Sequence, residues 1–403
     1  MTVVAVADFN VVALIFGGLL VIGALASGIA HRSFLSLTAV FVVAGFLLGD
    51  GGFGVIEIEP TSGFVHDLAT VALIVILFRD GLEVEAEMLQ TAWRLPLRKL
   101  IVAMPLTCVI VALATHWLTS LGWTESFLVG ALLSPTDPVL SSSVVTNPRV
   151  PRIVRHSLNL ESGLNDGLAL PAVLAFSAAL SGDPGFVWWH FVLQDVTLGF
   201  AFGIGLGLLA AVALPRESTI PAHQRSLYAL GAAFATYGLT VLPPAGNGLI
   251  AVFTFAITLG IRRQDLRHTF EERSDDIVEI VKLGVFVVFG SLLTLDGLFG
   301  DGWAAVGVVA VTLLVARPVA IAIALMGTRL PFYLQAFMAW FGPKGVATMA
   351  FSLLVLGNGF PGAERIFNLA ALCVFTSILA HGLSDTPGSN WVANRAGEPA
   401  PAR

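Results

Sequence analysis

The chain has 403 residues, of which 56% are hydrophobic and 12% are charged, whereas an ordinary soluble domain is about 25% charged. One soluble core cannot bury so much apolar surface, and the apolar residues come in long blocks, many reaching the roughly 20 residues that cross a bilayer as a helix. A net charge of −6 without a basic stripe excludes a nucleic-acid partner. Two cysteines in apolar segments predict neither a disulfide framework nor a zinc site, and no cofactor is expected. We therefore expect an all-α polytopic membrane protein.

Apolar runs between charged or Gly/Pro-rich breaks predict thirteen transmembrane helices. Most of the 21 Lys and Arg residues, Lys99 among them, then fall on the cytoplasmic side if the N-terminus lies outside and the C-terminus inside. This asymmetry supports thirteen spans in a bacterial cytoplasmic (inner) membrane. The predicted spans, in chain order, are 11–30, 34–49, 65–79, 100–119, 126–146, 157–180, 189–214, 226–242, 246–261, 280–295, 303–326, 332–357 and 365–384.

An odd central span makes spans 1–6 and 8–13 enter the membrane from opposite sides, which is the geometry of an inverted repeat in secondary transporters. Residues 83–94 and 268–279 are charged and are predicted to form connecting helices on the inner side. Lys282, at an inner helix end, is expected to snorkel to the interface. The Pro- and Gly-containing stretch from Asp385 is predicted to be disordered.

Two predicted spans are interrupted by proline near the membrane centre. Span 5 contains Ser134-Pro135-Thr136-Asp137-Pro138, and span 12 contains Gly342-Pro343-Lys344-Gly345. Proline removes a helical hydrogen bond, so both helices are expected to be discontinuous. Spans 5 and 12 hold equivalent places in the two repeats, and paired broken helices at the midplane indicate a transport site.

Span 6 carries Glu161-Ser162-Gly163-Leu164-Asn165-Asp166-Gly167 at the same depth. A charge there costs roughly 2.5–3.5 kcal/mol on insertion scales and so needs a function. Ser162 and Asp166 lie one turn apart on one helical face, and the break in span 5 exposes carbonyls such as that of Thr136. Because burial disfavours the charged carboxylate, Asp166 can bind either a proton or a cation. This reasoning predicts Asp166, Ser162 and Thr136 as Na⁺ ligands.

Other polar residues are expected to support this site. Asn165 can hydrogen-bond to the backbone exposed in span 5, and Gly163 and Gly167 can let spans 5 and 6 approach closely. Arg317 in span 11 needs an anionic partner, for which Glu161 is the first choice and Asp137 the second. The sequence leaves open whether Glu161 binds the ion or only pairs with Arg317. Asp137 and Lys344 are placed to balance the ends of the broken helices.

These motifs, with Leu77-Phe78-Arg79-Asp80-Gly81-Leu82 after span 3, resemble those of the monovalent cation:proton antiporter superfamily, in the branch of NhaP-type and NHE-type sodium/proton exchangers. The resemblance implies that Asp166 binds the cation and the proton, that Thr136, Glu161 and Ser162 contribute oxygens, and that Arg317 pairs with Glu161. It also implies a homodimer and, from the Asn165–Asp166 pair, electroneutral exchange of one cation for one proton. Lys344 stands where such exchangers often have arginine.

The same resemblance implies a core domain of spans 4–6 and 11–13 that moves against an interface domain. The corresponding ranges are 1–97 for interface helices and an inner linker helix, 98–182 for core helices 4–6, 183–300 for interface helices 7–10, 301–384 for core helices 11–13, and 385–403 for a short cytoplasmic tail.

Other functions fit parts of the pattern. A K⁺/H⁺ antiporter could use the same scaffold, because oxygen ligands alone do not separate Na⁺ or Li⁺ from K⁺. An intramembrane aspartyl protease would use Asp137 and Asp166 as a carboxyl pair, although neither lies in the Tyr-Asp or Gly-x-Gly-Asp setting of such enzymes. A channel would need a ring of carboxylates or a repeated filter sequence.

Overall fold

A computed structural model of the chain describes residues 37–84, 93–137, 147, 148, 150–182, 186–214, 220–243 and 245–397, with Gly17, Gly18 and Val21. Most of predicted span 1 and of the connecting helix 83–94, and the part of span 5 from Pro138 onward, lie outside these residues. The described ranges contain no β-strand, so the predicted all-helical class is confirmed.

Their helices, numbered in chain order, are α1 (Leu37–Leu48), α2 (Gly63–Leu82), α3 (Arg94–Leu118), α4 (Trp123–Leu132), α5 (Arg152–Leu180), α6 (Trp188–Ala213), α7 (Ala222–Val241), α8 (Gly248–Arg262), α9 (Gln264–Arg273), α10 (Asp275–Ser291), α11 (Leu295–Leu298), α12 (Trp303–Ala324), α13 (Phe332–Trp340), α14 (Val346–Gly357) and α15 (Ala363–Ala396).

Five of these helices are long and apolar enough to cross a bilayer: α3, α5, α6, α12 and α15. Shorter apolar helices are α1, α8 and α14. Helix α2 is apolar on all sides from Ala72 to Phe78, and all seven of these residues are buried because α8, α10 and α14 pack around it. Helix α2 thus carries its C-terminal residues, including Asp80, into the interior.

Four interruptions of regular α-helix lie near the polar motifs. Helix α4 ends at Leu132, and the described residues that follow it, 133–137, are not helical; α13 ends at Trp340 and α14 begins at Val346. Helices α3 and α12 each contain a π-helical segment, Lys99–Ala103 and Thr312–Ala316. Such segments are frequent at functional sites because they re-aim side chains within a helix.

The prediction that the chain is disordered from Asp385 is wrong for residues 385–396, which continue α15 with Pro387 inside it. Composition favoured disorder, but tertiary packing stabilises the helix. Val392 is fully buried in a cluster with Phe337 and Phe341, and the ring of Trp391 contacts that of Tyr333 edge to face.

The inner ends of two predicted spans also differ from expectation. Residues 268–279 do not form one connecting helix, because α9 ends at Arg273 and α10 begins at Asp275. Helix α10 therefore extends past Lys282, which is buried rather than snorkelling. Lys99, assigned to an inner loop, lies within α3 and is 1% exposed. Both lysines are buried because their helices begin before the apolar run and include the charged residue.

Candidate functional site

Glu161, on α5, forms ion pairs with two basic side chains. Its Oε1 accepts a hydrogen bond from Arg317 Nη1 at 2.9 Å, and its Oε2 accepts one from Lys99 Nζ at 2.5 Å. The Lys99 side chain is fully buried, and those of Glu161 and Arg317 are each 8% exposed. The ion pair between Arg317 and Glu161 that the sequence favours is therefore present, but Lys99 is a second partner that the sequence did not indicate.

Arg317 also binds the end of α13. Its Nη2 donates to the carbonyl of Phe341 at 3.0 Å and to that of Met338 at 3.4 Å, and its Nη1 lies 3.4 Å from Thr136 Oγ1. A methyl group at Gly342 would collide with the Arg317 side chain. Arg317 consequently holds α5, α12 and both non-helical segments in one arrangement.

The two non-helical segments, 133–137 and 341–345, contact each other directly. The N–H of Asp137 donates to the carbonyl of Pro343 at 2.8 Å, and Lys344 Nζ donates to the carbonyl of Pro135 at 3.2 Å. A methyl group at Gly345 would collide with Asp137. The glycine is thus needed because the Asp137 side chain occupies the space that any side chain at this position would take.

Asn165 joins α5 to the first of these segments. Its Nδ2 donates to the carbonyl of Thr136 at 2.6 Å and to Thr136 Oγ1 at 3.2 Å. Both residues are buried, and the bond connects an intact helix to the backbone that α4 leaves unpaired. The contact expected between Asn165 and the broken span 5 is present.

Asp166 is 4% exposed, and the carboxyl group of Asp80, on α2, lies close enough to interact with it electrostatically. Two carboxylates held close together repel each other, so a proton or a cation bound between them would stabilise the pair. Asp137 and Lys282 also lie close enough to interact electrostatically with both carboxyls. The arrangement is a pair of acids with a third carboxylate, Asp137, and the cation of Lys282 nearby.

Comparison with known proteins identifies the family of the chain. The family described as "Sodium/hydrogen exchanger, transmembrane" matches residues 17–391. The chain belongs to the sodium/hydrogen exchanger family. Members of this family are integral membrane ion transporters rather than enzymes, so the interpretation as an intramembrane protease is set aside.

Individual relatives of this exchanger are distant. It is 26% identical over 388 residues to the K(+)/H(+) antiporter NhaP of Alkalimonas amylolytica, which covers 95% of this chain and 67% of that protein. It is 27% identical over 292 residues to the Na(+)/H(+) antiporter NhaG of Bacillus atrophaeus, which covers 69% of this chain and 55% of that protein. The chain thus spans about two thirds or less of the length of these curated relatives.

The fold of the exchanger is that of a solved relative. The sodium proton antiporter MjNhaP1 from Methanocaldococcus jannaschii superposes with a TM-score of 0.82 at 19% identity, over 95% of this chain and 98% of that one. At this identity the likeness shows the shared fold alone. The predicted resemblance to NhaP-type antiporters is confirmed.

Two glycines of the exchanger face helices other than the predicted one. A Cβ atom on Gly163 would lie 3.2 Å from the Asp80 carbonyl oxygen, and one on Gly167 would collide with the ring of Phe253 on α8. The prediction that these glycines allow the broken span 5 to pack closely against span 6 is wrong, because they face other helices. They let α2 and α8 approach α5, and this brings Asp80 to Asp166.

Sequence reasoning gave no role to Lys99 or Asp80. The signal for Lys99 was its helical phase, since Ala103 and Thr107 follow it at i+4 and i+8 and are buried with it. Asp80 lay in the quoted motif after span 3, but was taken to be outside the membrane because the apolar run ends at Phe78. In both cases a charge marked the end of an apolar run and not the end of the buried helix.

Proposed function

We propose that this exchanger carries Na⁺ or Li⁺ against H⁺ across a bacterial cytoplasmic membrane by alternating access, with the cation and the proton competing for Asp166. The observation that supports this most strongly is the buried Asp166, which interacts electrostatically both with Asp80 and with Asp137, where the two non-helical segments meet. A carboxyl that holds a proton in a site with free oxygen ligands can exchange it for a hard cation.

The proposed ligands are the carboxylate of Asp166, the hydroxyl of Ser162 and the carbonyl of Thr136. Thr136 O accepts one hydrogen bond, from Asn165, and a carbonyl oxygen has two lone pairs. Glu161 is assigned to charge support rather than to cation binding, because each of its oxygens accepts a hydrogen bond from a cation. Asn165, Asp137, Arg317 and Lys344 position the two segments.

K⁺ is the second candidate cation. The favouring observation is that several curated relatives, including one 26% identical over 374 residues from Shewanella sp. (strain ANA-3), are named K(+)/H(+) antiporters. Oxygen ligands accommodate all three alkali cations, so cavity size and ligand number decide the preference.

The proposed architecture has thirteen spans with the N-terminus outside and the C-terminus cytoplasmic, arranged as inverted repeats in which helices 5 and 12 are discontinuous. A core of residues 98–182 and 301–384 moves against an interface domain of residues 1–97 and 183–300. In a homodimer, the interface domains would form the fixed part. One cation for one proton makes the proposed exchange electroneutral.

The first prediction is that Asp166→Asn abolishes exchange, because an amide can neither bind a proton at neutral pH nor neutralise a cation. Proteoliposomes carrying an acidic interior and a pH-sensitive dye measure the alkalinisation that follows addition of Na⁺, Li⁺ or K⁺. The matched control is Asp296→Asn, at an exposed acid on α11, which should exchange like the unaltered protein. Exchange at the unaltered rate in Asp166→Asn would contradict the proposal.

The same vesicles test stoichiometry. An imposed membrane potential should leave the initial rate unchanged, since an electroneutral cycle moves no net charge. A rate that follows the potential would exclude exchange of one cation for one proton.

A further inference from the structure

Glu161 has more positive charge around it than a single carboxylate can neutralise. Arg317 and Lys99 each take one of its oxygens, and both cations are buried. Lys99 Nζ makes a further hydrogen bond, to the carbonyl of Ser157 at 3.2 Å. Arg317 alone would satisfy the pairing that a buried glutamate requires, so the second cation calls for its own explanation.

The two basic side chains, Lys99 and Arg317, come from two helices that each contain a π-helical segment. Lys99 begins the π-helical segment of α3, and Arg317 directly follows that of α12. These helices correspond to spans 4 and 11, which occupy equivalent places in the proposed repeats. Both side chains thereby reach one carboxylate on α5, and α3 and α12 also pack against each other.

This charge lies close to the exchange site. Asp166 follows Glu161 by five residues on the same helix, which is about 7.5 Å along the axis. The charged groups that interact with Asp166 are Asp80 on α2, Asp137 after α4, Lys282 on α10 and Lys344 before α14. A change of net charge at Glu161 and its two partners is therefore expected to alter the binding of a cation or proton at Asp166 through space.

We propose that Lys99 is a positioning residue of the exchange reaction and acts through Glu161. By bonding Oε2 while Arg317 bonds Oε1, it keeps Glu161 out of the cation's coordination shell, and its charge weakens the binding of both cation and proton at Asp166. Lys99 therefore sets the cation concentration and the pH range in which the exchanger operates. This inference rests on the proposed function of Asp166.

A purely structural role for Lys99 makes a different prediction. If the lysine only fixed α3 to α5, its loss would lower thermal stability and the maximal rate, but would leave the apparent KM for the cation and the pH profile in place. The two roles are thus separated by the KM and the pH profile and not by activity alone.

The test compares Lys99→Met, Lys99→Gln and Lys99→Arg in proteoliposomes, with Na⁺ and then Li⁺ as the added cation. We expect both neutral variants to lower the apparent KM about tenfold, the change that about 1.4 kcal/mol produces, and to move the half-maximal pH of exchange to more alkaline values. Lys99→Arg keeps the positive charge and should therefore retain the KM and pH profile of the unaltered protein. Arg98→Met is the matched control, since Arg98 is the exposed preceding residue, and should behave like the unaltered protein.

Each outcome bears on one claim. An unaltered KM and pH profile in Lys99→Met or Lys99→Gln, with only stability or maximal rate reduced, would overturn the role of Lys99 and leave Asp166 in place. Lys99→Gln keeps a hydrogen-bond donor, so it serves if Lys99→Met does not fold. Failure of the unaltered protein to exchange any alkali cation would instead overturn the proposed function.

Discussion

Two acidic residues on α5, Glu161 and Asp166, have different partners and different proposed roles in the site. Glu161 is paired with Lys99 and Arg317, whereas Asp166 has another acid, Asp80, as its neighbour. The pairing of Glu161 with Arg317 was predictable because a buried guanidinium cannot lose its charge. The roles of Lys99 and Asp80 were not, because helices α3 and α2 extend their burial beyond the apolar runs from which burial was inferred.

The closeness of Asp80 to Asp166 makes a prediction about pH. Asp80→Asn removes a neighbouring negative charge and so favours the charged form of the Asp166 carboxylate, which then binds a proton only at lower pH. We expect the half-maximal pH of exchange in proteoliposomes to fall by about one unit, the order of shift that a nearby charge produces. Asp67→Asn, at an exposed acid on the same helix, is the control. An unchanged or more alkaline profile would show that Asp80 does not act on Asp166.

Prolines and glycines determine where the helices of the site end and how closely the non-helical segments approach. Pro135 and Pro343 signalled where helices stop, and the sequence located both interruptions near the motifs that carry charge. It could not show that Gly345 faces Asp137, since that contact joins residues more than 200 positions apart along the chain. The continuation of α15 beyond Asp385 was likewise hidden, because the packing of Val392 against Phe337 and Phe341 is tertiary.

Gly345→Ala should destabilise the protein, because the new methyl group collides with Asp137 and separates the two non-helical segments. Overpacking of this kind costs about 1–3 kcal/mol. Thermal unfolding in detergent measures the loss as a lower Tm. Gly205→Ala is the control, since an added Cβ at this exposed position on α6 meets nothing within 4 Å. Equal melting temperatures for the two variants would argue against a close crossing at Gly345.

The whole molecule brings charged residues from its proposed core and interface domains into one place. Asp166 and Lys99 belong to the proposed core, whereas Asp80 and Lys282 belong to the proposed interface domain. The all-helical class and the antiporter family followed from composition and motifs, which depend on local sequence. The partner of each buried charge depends on how the domains pack, and local sequence patterns do not predict that packing.

Because the cation and the proton are proposed to compete for Asp166, a bound proton should be released whenever a cation occupies the site. Cation binding and proton release are then one event, and they can be counted without a membrane or a gradient.

The most direct measurement is therefore proton release from the purified exchanger in weakly buffered detergent solution as Na⁺, Li⁺ or K⁺ is titrated in. Competition at Asp166 predicts one proton released for each cation bound, with both lost in Asp166→Asn. Cation binding without proton release, or release that persists in Asp166→Asn, would contradict the account.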